Sequence, residues 1–369
     1  MNPFKYGCVV DGEFFCPRPA LERQLRSFAE SGQNVVVQGE RRMGKTSLIK
    51  HAIGGMRKMR MLYVDLYCIR TLSDFCRRVM NGIAEASENL PFIKKAMSLV
   101  HRLRPTLSFD VNTGAPVISV DVRAANNPDS LDFVMGMIRN LAKDERICVV
   151  CDEFQDILDI DRADVILAEM RSTIQFQAET PYFFSGSVRN DMMRIFDDSK
   201  SPFFKSAVTF SVGPIDAAAF ERFIASRFHA GNRNVDVDTV RQLIKYADSV
   251  AGDVQELCEA IWDTTSDGAV VTVDDMPRAL DCVFSREGEA FGESVRQLTP
   301  LQVSVLRALA DIDTVGIFSE EFMQRVQTTS TGALRTAIKR LVARRLIYQF
   351  GGRYRFANPF FKAWVLKRM

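Results

Sequence analysis

No apolar run in the sequence approaches the roughly 18 residues that a bilayer crossing needs. The first six residues also lack the apolar core of a signal peptide. Histidine is scarce, and His51, His101 and His229 lie too far apart in the chain for the ligand spacing of a zinc site. These absences argue against a membrane protein, an exported protein and a zinc enzyme, so we expect a cytoplasmic protein.

Cysteine is present eight times, but the positions are scattered, and several fall in segments predicted to be buried. Such a distribution is typical of reduced thiols rather than of a disulfide scaffold. Cys148 and Cys151 have the C-x-x-C spacing, yet they lie in an apolar segment predicted to be a strand, where positions three apart face opposite sides. Metal or redox chemistry is therefore not expected at this pair.

Acidic residues are missing from residues 322–369, which contain eleven basic side chains. Residues 1–321 hold 37 of the 48 Lys and Arg and all 46 Asp and Glu, a net charge of −9, whereas the whole chain has +2. A basic terminal domain after an acidic body indicates a polyanionic partner, or a contact with the acidic body itself. The basic residues are Arg325, Arg335, Lys339, Arg340, Arg344, Arg345, Arg353, Arg355, Lys362, Lys367 and Arg368.

A complete phosphate-binding loop, G-x-x-x-x-G-K-[ST], follows the β-branched run at 34–38 and precedes a segment predicted to be helical. In this motif the backbone N–H groups and the helix N-terminus bind phosphate. Lys45 can reach the β- and γ-phosphates, and the Thr46 hydroxyl can hold Mg²⁺. The predicted nucleotide-binding residues are Gly39, Glu40, Arg41, Arg42, Met43, Gly44, Lys45, Thr46 and Ser47.

Two carboxylates, Asp152 and Glu153, end an apolar segment at 146–153 that is predicted to be a strand. This is the Walker B strand expected to accompany a phosphate loop, in which the first carboxylate, Asp152, helps to hold Mg²⁺. The second, Glu153, is placed to orient or deprotonate the attacking water. A further strand at 182–184 ends in small polar residues, and Ser187, or alternatively Ser185, is placed to contact the γ-phosphate or the water.

Strand and helix signals alternate through residue 214, which predicts an α/β fold with a doubly wound parallel sheet. One strand lies between the loop strand and the carboxylate strand in the chain, which indicates the additional-strand (ASCE) branch of P-loop NTPases. A helical stretch at 87–104 and a hairpin at 107–122 are also predicted. The five sheet strands are predicted at 34–38, 61–66, 146–153, 182–184 and 207–212.

Beyond Pro214 the pattern becomes helical, near 216–230, 236–250, 253–266 and 272–297. The last part combines three predicted helices, starting at Thr299-Pro300, with a tight hairpin, and this is the arrangement of a winged helix. Polar side chains, most of them basic, on the exposed face of its third helix and on its hairpin are candidate contacts to DNA phosphates. They are Arg335, Thr336, Lys339, Arg340, Arg353 and Arg355, with Thr336 as the uncharged member of the set.

The pattern as a whole resembles the archaeal-type ATPase family, which is related to the STAND branch of AAA+ proteins and more distantly to origin-recognition ATPases. The resemblance implies a P-loop ATPase core at residues 1–214, a helical lid at 215–297 and a winged-helix domain at 298–369. It also implies ATP as the ligand and a position near the adenine for Arg18. The N-K-x-D motif, which is specific for guanine nucleotides, is missing from the sequence. The residues that carry the family resemblance are Asn2-Pro3-Phe4, Tyr6-Gly7, Gly39–Thr46, Asp152-Glu153-Phe154-Gln155, Phe184-Ser185-Gly186-Ser187 and Tyr354-Arg355-Phe356-Ala357-Asn358-Pro359.

Two departures from the family pattern concern the mechanism. AAA+ assemblies usually supply an arginine finger after the fourth strand, but no arginine occurs between Arg194 and Arg222. The lid segment at 252–255 also lacks the usual sensor arginine. Both absences favour a slow nucleotide switch over a fast hexameric motor and leave the oligomeric state open. The finger candidates that remain are Lys200 and Lys205, or else Arg189 and Arg194.

The leading hypothesis is therefore an ATPase that acts as a slow switch, uses Mg²⁺ and carries a DNA-binding winged helix. Loss of the γ-phosphate would remove contacts to Lys45 and Ser187 and release the lid. A first alternative is a signalling or scaffold ATPase whose winged helix docks a protein partner or rests on the acidic body. A second is a nucleotide-binding protein that does not hydrolyse its ligand.

Overall fold

The computed structural model describes residues 2–86, 106–109, 116–119, 128–186, 189–312, 316–350 and 353–369. The chain forms two compact units, one made of residues 11–213 and the other of residues 1–10 together with 214–369. The first ten residues thus belong with the C-terminal part, whereas the sequence predicts a core that includes them.

A five-stranded parallel sheet forms the centre of the first unit, in the order β2-β5-β6-β1-β7. The loop strand β1 and the carboxylate strand β5 are separated by β6, and the carboxyl ends of all five strands meet at one edge. The predicted parallel α/β sheet is confirmed. The strands of this unit are β1 (Val35–Gln38), β2 (Arg60–Asp65), β3 (Thr106–Phe109), β4 (Pro116–Ser119), β5 (Ile147–Asp152), β6 (Tyr182–Gly186) and β7 (Val208–Ser211).

Apolar faces of several helices pack against this sheet in one buried cluster. Phe75, Ile83 and Val134 of these helices, for example, pack in the same buried cluster as Leu62 and Val149 of the sheet. β3 and β4 pair as an antiparallel hairpin, while its turn and the helical stretch predicted at 87–104 lie outside the described residues. The helices are α1 (Pro19–Glu30), α2 (Lys45–Gly54), α3 (Leu72–Ala86), α4 (Pro128–Asp144), α5 (Ala163–Ile174) and α6 (Arg189–Phe196).

The second unit begins with four helices that receive the N-terminal segment. Phe4 is buried against Phe228, with ring centroids 4.6 Å apart, and the Asn2 side-chain amide donates to the carbonyl of Glu259 over 3.1 Å. These contacts explain why residues 1–10 group with this unit. Its first elements are α7 (Ala217–Ala230), β8 (Asn234–Val235), α8 (Val237–Tyr246), α9 (Ala251–Thr264), β9 (Val270–Val271) and α10 (Met276–Arg296).

The remainder of the second unit is three helices, a hairpin and a closing helix. The side chains of Thr299, Ser319 and Ser330 each accept a backbone N–H at the start of a helix, so local capping explains where the three helices begin. Asn358 caps the closing helix in the same way. These elements are α11 (Pro300–Asp311), α12 (Glu320–Val326), α13 (Thr331–Ala343), β10 (Ile347–Phe350), β11 (Arg353–Phe356) and α14 (Pro359–Arg368).

A helix must be both long and apolar to cross a lipid bilayer. In the part of the chain that the structure describes, no helix combines the length and the apolar character that a membrane crossing requires.

Candidate nucleotide-binding site

The phosphate loop connects β1 to α2, and two of its glycines are required by the backbone. A Cβ atom on Gly39 would lie 2.4 Å from the carbonyl oxygen of Val212, so the loop passes too close to the end of β7 for any side chain. Gly44 has φ of +80° at the residue before α2, a conformation that glycine adopts without strain. The N-terminus of α2 therefore opens directly onto the loop, where the helix dipole favours an anion.

Lys45 is the first residue of α2, and its side chain folds back over the loop. It is buried, and Nζ donates hydrogen bonds to the carbonyl oxygens of Gly39 at 2.9 Å and Glu40 at 2.8 Å. Burial lowers the pKa of Lys45, while the nearby carboxylates of Glu153 and Asp152 act in the opposite direction. The loop lysine and the carboxylate pair thus lie at the same edge of the sheet.

The Thr46 hydroxyl joins the loop to the carboxylate strand. Thr46 Oγ1 donates to Oδ2 of the buried Asp152 over 2.6 Å, and the hydroxyl of Tyr63 donates to the same oxygen over 2.8 Å. The other carboxylate oxygen, Oδ1, accepts the backbone N–H of Glu153 at 3.1 Å. Burial and the Asp152 carboxylate raise the pKa of Tyr63 far above its ordinary value, so the phenol keeps its proton and donates.

This donor set fits Mg²⁺. A hydroxyl and a carboxylate are hard oxygen ligands, and Mg²⁺ is usually held by one or two carboxylates together with water and substrate phosphates. Within the described ranges no group of three or more His, Cys, Asp or Glu forms a metal cluster of its own. Thr46 and Asp152 are therefore suited to a metal ion that arrives with a phosphorylated ligand.

Glu153 follows β5 immediately, with a left-handed backbone at φ 49° and ψ 42°. Its Oε2 accepts a hydrogen bond of 2.6 Å from Nε2 of Gln155, and the same buried amide donates to Oδ1 of Asp156 at 2.9 Å. The sequence pattern places Gln155 in the motif but assigns it no role. Its contact with Glu153, two residues away, depends on the turn that follows the strand.

Arg18 lies against the phosphate loop from the start of α1. Its guanidinium is buried and donates to the carbonyl oxygen of Met43 at 3.3 Å and to that of Gly213. Burial lowers the pKa of Arg18. The contact with Met43 places Arg18 beside the candidate nucleotide site, although no described contact identifies it with the adenine.

The remaining loop residues differ in exposure. Arg41 is exposed, Met43 and Ser47 are buried, and Arg42 has a left-handed backbone with φ of 63°. Glu40 is half-buried and contributes its carbonyl oxygen to Lys45.

The predicted γ-phosphate contacts are only partly covered by the structure. Ser187 lies outside the described residues. Ser185, the alternative, is fully buried in β6, and its hydroxyl has no hydrogen-bond partner among the described residues. Of the finger candidates, Arg194 is exposed and pairs with Asp191 at 3.6 Å. Lys200 and Lys205 are exposed, and the Arg189 side chain is outside the described set.

Most of the residues predicted to contact DNA are exposed on the winged helix. Leu334, Ala337, Ile338 and Leu341 are the buried face of α13, and the predicted polar face is exposed. The guanidinium of Arg335 lies 5.6 Å from the ring centroid of Phe318. The exposed members are Arg335, Thr336, Lys339, Arg340 and Arg353, and Arg355 is half-buried on β11.

Comparisons with known proteins agree with this architecture. A family model described as "Probable winged helix domain" matches residues 289–367. The chain is similar in structure to the Walker-type ATPase PABY2304 of Pyrococcus abyssi, with a TM-score of 0.69 and 18% identity over 98% of this chain and 99% of that one. No curated protein matches the chain.

Two origin-recognition proteins of Aeropyrum pernix are also similar to the chain. The ORC2 protein, in ADPNP and ADP complexes, has a TM-score of 0.56 and 14% identity over 99% of this chain and 96% of its own. The ORC1 protein in complex with DNA has a TM-score of 0.52 and 13% identity over 97% and 94%. The chain therefore has the fold of the Walker-type and origin-recognition P-loop ATPases, with a winged-helix domain at its C-terminal end.

Proposed function

We propose that this protein binds ATP with Mg²⁺ at residues 39–47, 152 and 153 and hydrolyses it slowly, as a STAND-type switch. The observation that carries the proposal is the 2.6 Å hydrogen bond between Thr46 and Asp152 beside the buried Lys45. The phosphate loop follows β1 and the carboxylates end β5, two strands that are separated by β6. The hydrogen bond nevertheless joins the two segments directly. We propose ATP rather than GTP as the ligand because of the family resemblance alone. The proposed cytoplasmic location rests on the sequence.

Each residue at the site has a distinct part in this proposal. Lys45 would exchange its two loop carbonyls for the β- and γ-phosphates, which are stronger acceptors because they are charged. Thr46 and Asp152 would hold Mg²⁺, which neutralises charge on the phosphate oxygens during transfer. Glu153 would orient or deprotonate the attacking water, and Ser187 remains the proposed γ-phosphate contact.

The proposal of slow turnover is supported by the sequence, which has no arginine between Arg194 and Arg222, where AAA+ assemblies usually supply the finger. An arginine finger contributes roughly 10³–10⁵ to the turnover of nucleotide hydrolases that use one. Arg194, the finger candidate whose surroundings the structure describes best, is exposed and forms an ion pair with Asp191. A chain that lacks this group would remain in its ATP state for long periods, which suits a switch better than a motor.

DNA is the proposed partner of the winged helix. Arg335, Lys339, Arg340 and Arg353 are exposed, and the structure gives them no ion pair within the described residues. Exposed cations without an acidic partner in the described residues favour a polyanion, whose phosphates they would contact without reading sequence.

A protein partner, or contact with the acidic body, is the second candidate for the winged helix. It is favoured by two ion pairs of basic residues within the second unit, Arg325 with Asp311 and Lys367 with Asp281. Part of the basic charge is therefore already neutralised by the protein itself. This alternative predicts nucleotide-dependent self-association or partner binding without affinity for DNA.

The test is phosphate release and equilibrium ATP binding, measured with and without duplex DNA. We expect Glu153→Gln to bind ATP normally but to release phosphate at least about 100-fold more slowly, because general-base catalysis contributes roughly 10²–10⁴. Asp161→Asn is the matched control, because Asp161 is an exposed acidic residue eight positions after Glu153, and this variant should behave as the wild type. Normal turnover by Glu153→Gln would refute the assigned role of Glu153.

A further inference from the structure

Tyr63 reaches the candidate metal site from the neighbouring strand. β2 and β5 pair in parallel, with Tyr63 opposite Val150 and Asp65 opposite Asp152. The aromatic side chain is long enough to cross to the next strand, and its hydroxyl lies 2.8 Å from Oδ2 of Asp152. The oxygen it contacts is the one that also accepts the Thr46 hydroxyl.

The ring of Tyr63 contacts a lysine of the phosphate-loop helix. Nζ of Lys50, in α2, lies 3.9 Å from the ring centroid, which is a cation–π contact. Lys50 is one turn beyond Thr46 on the helix that the loop initiates. The tyrosine therefore links three elements around Asp152, namely β2, β5 and α2.

We propose that Tyr63 is a positioning residue that fixes the Asp152 carboxylate for Mg²⁺, an inference that rests on the proposed function. Two hydroxyls on Oδ2 and the Glu153 N–H on Oδ1 restrain the carboxylate from both ends. Without the phenol, the Thr46 hydroxyl is the one donor to Oδ2 that remains among the described residues, and the carboxylate gains rotational freedom. Outer hydrogen-bond partners of metal ligands typically contribute 10–100-fold to metal affinity.

The test is the factor by which Mg²⁺ tightens the binding of a fluorescent ATP analogue, measured at equilibrium in EDTA and in saturating Mg²⁺. This factor does not depend on turnover. In Tyr63→Phe we expect it to fall about tenfold, with the affinity in EDTA unchanged. Tyr182→Phe is the matched control, because Tyr182 is a buried tyrosine of the same sheet whose hydroxyl donates to Gln177 over 2.7 Å.

Each result has a definite meaning. A reduced factor in Tyr63→Phe with a normal factor in Tyr182→Phe supports the positioning role. A normal factor in Tyr63→Phe, or an equal reduction in both variants, overturns it. If Thr46→Val loses the Mg²⁺ effect while Tyr63→Phe keeps it, the proposed function stands and only the role of Tyr63 fails. If the wild type binds no nucleotide, the proposed function fails as well.

Discussion

The side-chain amide of Gln155 donates a 2.6 Å hydrogen bond to the carboxylate of Glu153, the proposed catalytic base. An acid–base residue needs a fixed direction, and a neighbouring group commonly provides it. Because Gln155 is buried and also bonds to Asp156, the amide itself cannot turn freely. The contact therefore favours one orientation of the Glu153 side chain.

Gln155→Leu should slow phosphate release about tenfold while ATP affinity stays the same, because Glu153 would lose its orienting donor. Gln177→Leu is a suitable control, since Gln177 is also buried and hydrogen-bonded in the same unit. Phosphate release and nucleotide affinity, measured on both variants, separate an effect on orientation from a loss of stability. Unchanged turnover in Gln155→Leu would show that the hydrogen bond has no part in hydrolysis.

Arg18→Met should lower the free energy of unfolding by about 2 kcal/mol, since hydrogen bonds to charged groups contribute roughly 1.5–3 kcal/mol. The variant keeps the apolar stem but leaves the Met43 and Gly213 carbonyls without the guanidinium. Denaturant unfolding measures the change, and Arg23→Met, at an exposed position of the same helix, controls for losing an arginine. Equal stability of the two variants would contradict the structural role of Arg18.

Replacing Arg335, Lys339 and Arg340 together by Ala should weaken duplex DNA binding for all sequences alike. The slope of log affinity against log salt should fall in magnitude by about 0.9 for each DNA phosphate that the variant no longer neutralises. Arg307→Ala removes an exposed charge from α11 of the same domain and should have little effect. Affinity that does not depend on salt, or no affinity in the wild type, would favour the protein-docking alternative.

Alkylation of the native protein near pH 8 should modify Cys8 and Cys68 and spare the buried thiols. The thiolate is the reactive form, and burial raises the pKa of Cys76 and Cys151 to about 12, so these thiols stay protonated. Peptide mass spectrometry identifies the modified sites, and the same reaction in denaturant is the control that should label all eight. Rapid native labelling of Cys148 or Cys151 would contradict the buried β5 strand.

The parts of the fold that the sequence predicts well depend on local signals. The phosphate loop is contiguous with the strand before it and the helix after it. The phosphate-binding residues and the two elements that position them can therefore be recognised in one stretch of sequence. The winged-helix starts at Thr299, Ser319 and Ser330 are likewise local, because each cap lies within three residues of the N–H it accepts. Asn358-Pro359 carries the same kind of signal for α14, a helix that is not among those predicted from the sequence.

The parts that the sequence does not predict depend on contacts between distant segments. The position of β6 between β1 and β5 follows from packing of whole strands, not from any one of them. Asn2 bonds to Glu259, 257 residues away, so nothing near residue 2 indicates that it joins the C-terminal unit. In the sequence, Tyr63 is one aromatic residue of a predicted strand. Its contact with Asp152 becomes visible only when β2 pairs with β5. Ser187 lies outside the described residues and stays a prediction.

The most direct test of the central claim is titration calorimetry of ATP with Mg²⁺ into the wild type and into Lys45→Ala. We predict saturable binding by the wild type and affinity at least about 100-fold weaker in the variant, a loss of roughly 2.7 kcal/mol. Lys58→Ala, at an exposed lysine beyond the same helix, should bind as the wild type does. Equal affinity of the wild type and Lys45→Ala would contradict a nucleotide site at residues 39–47.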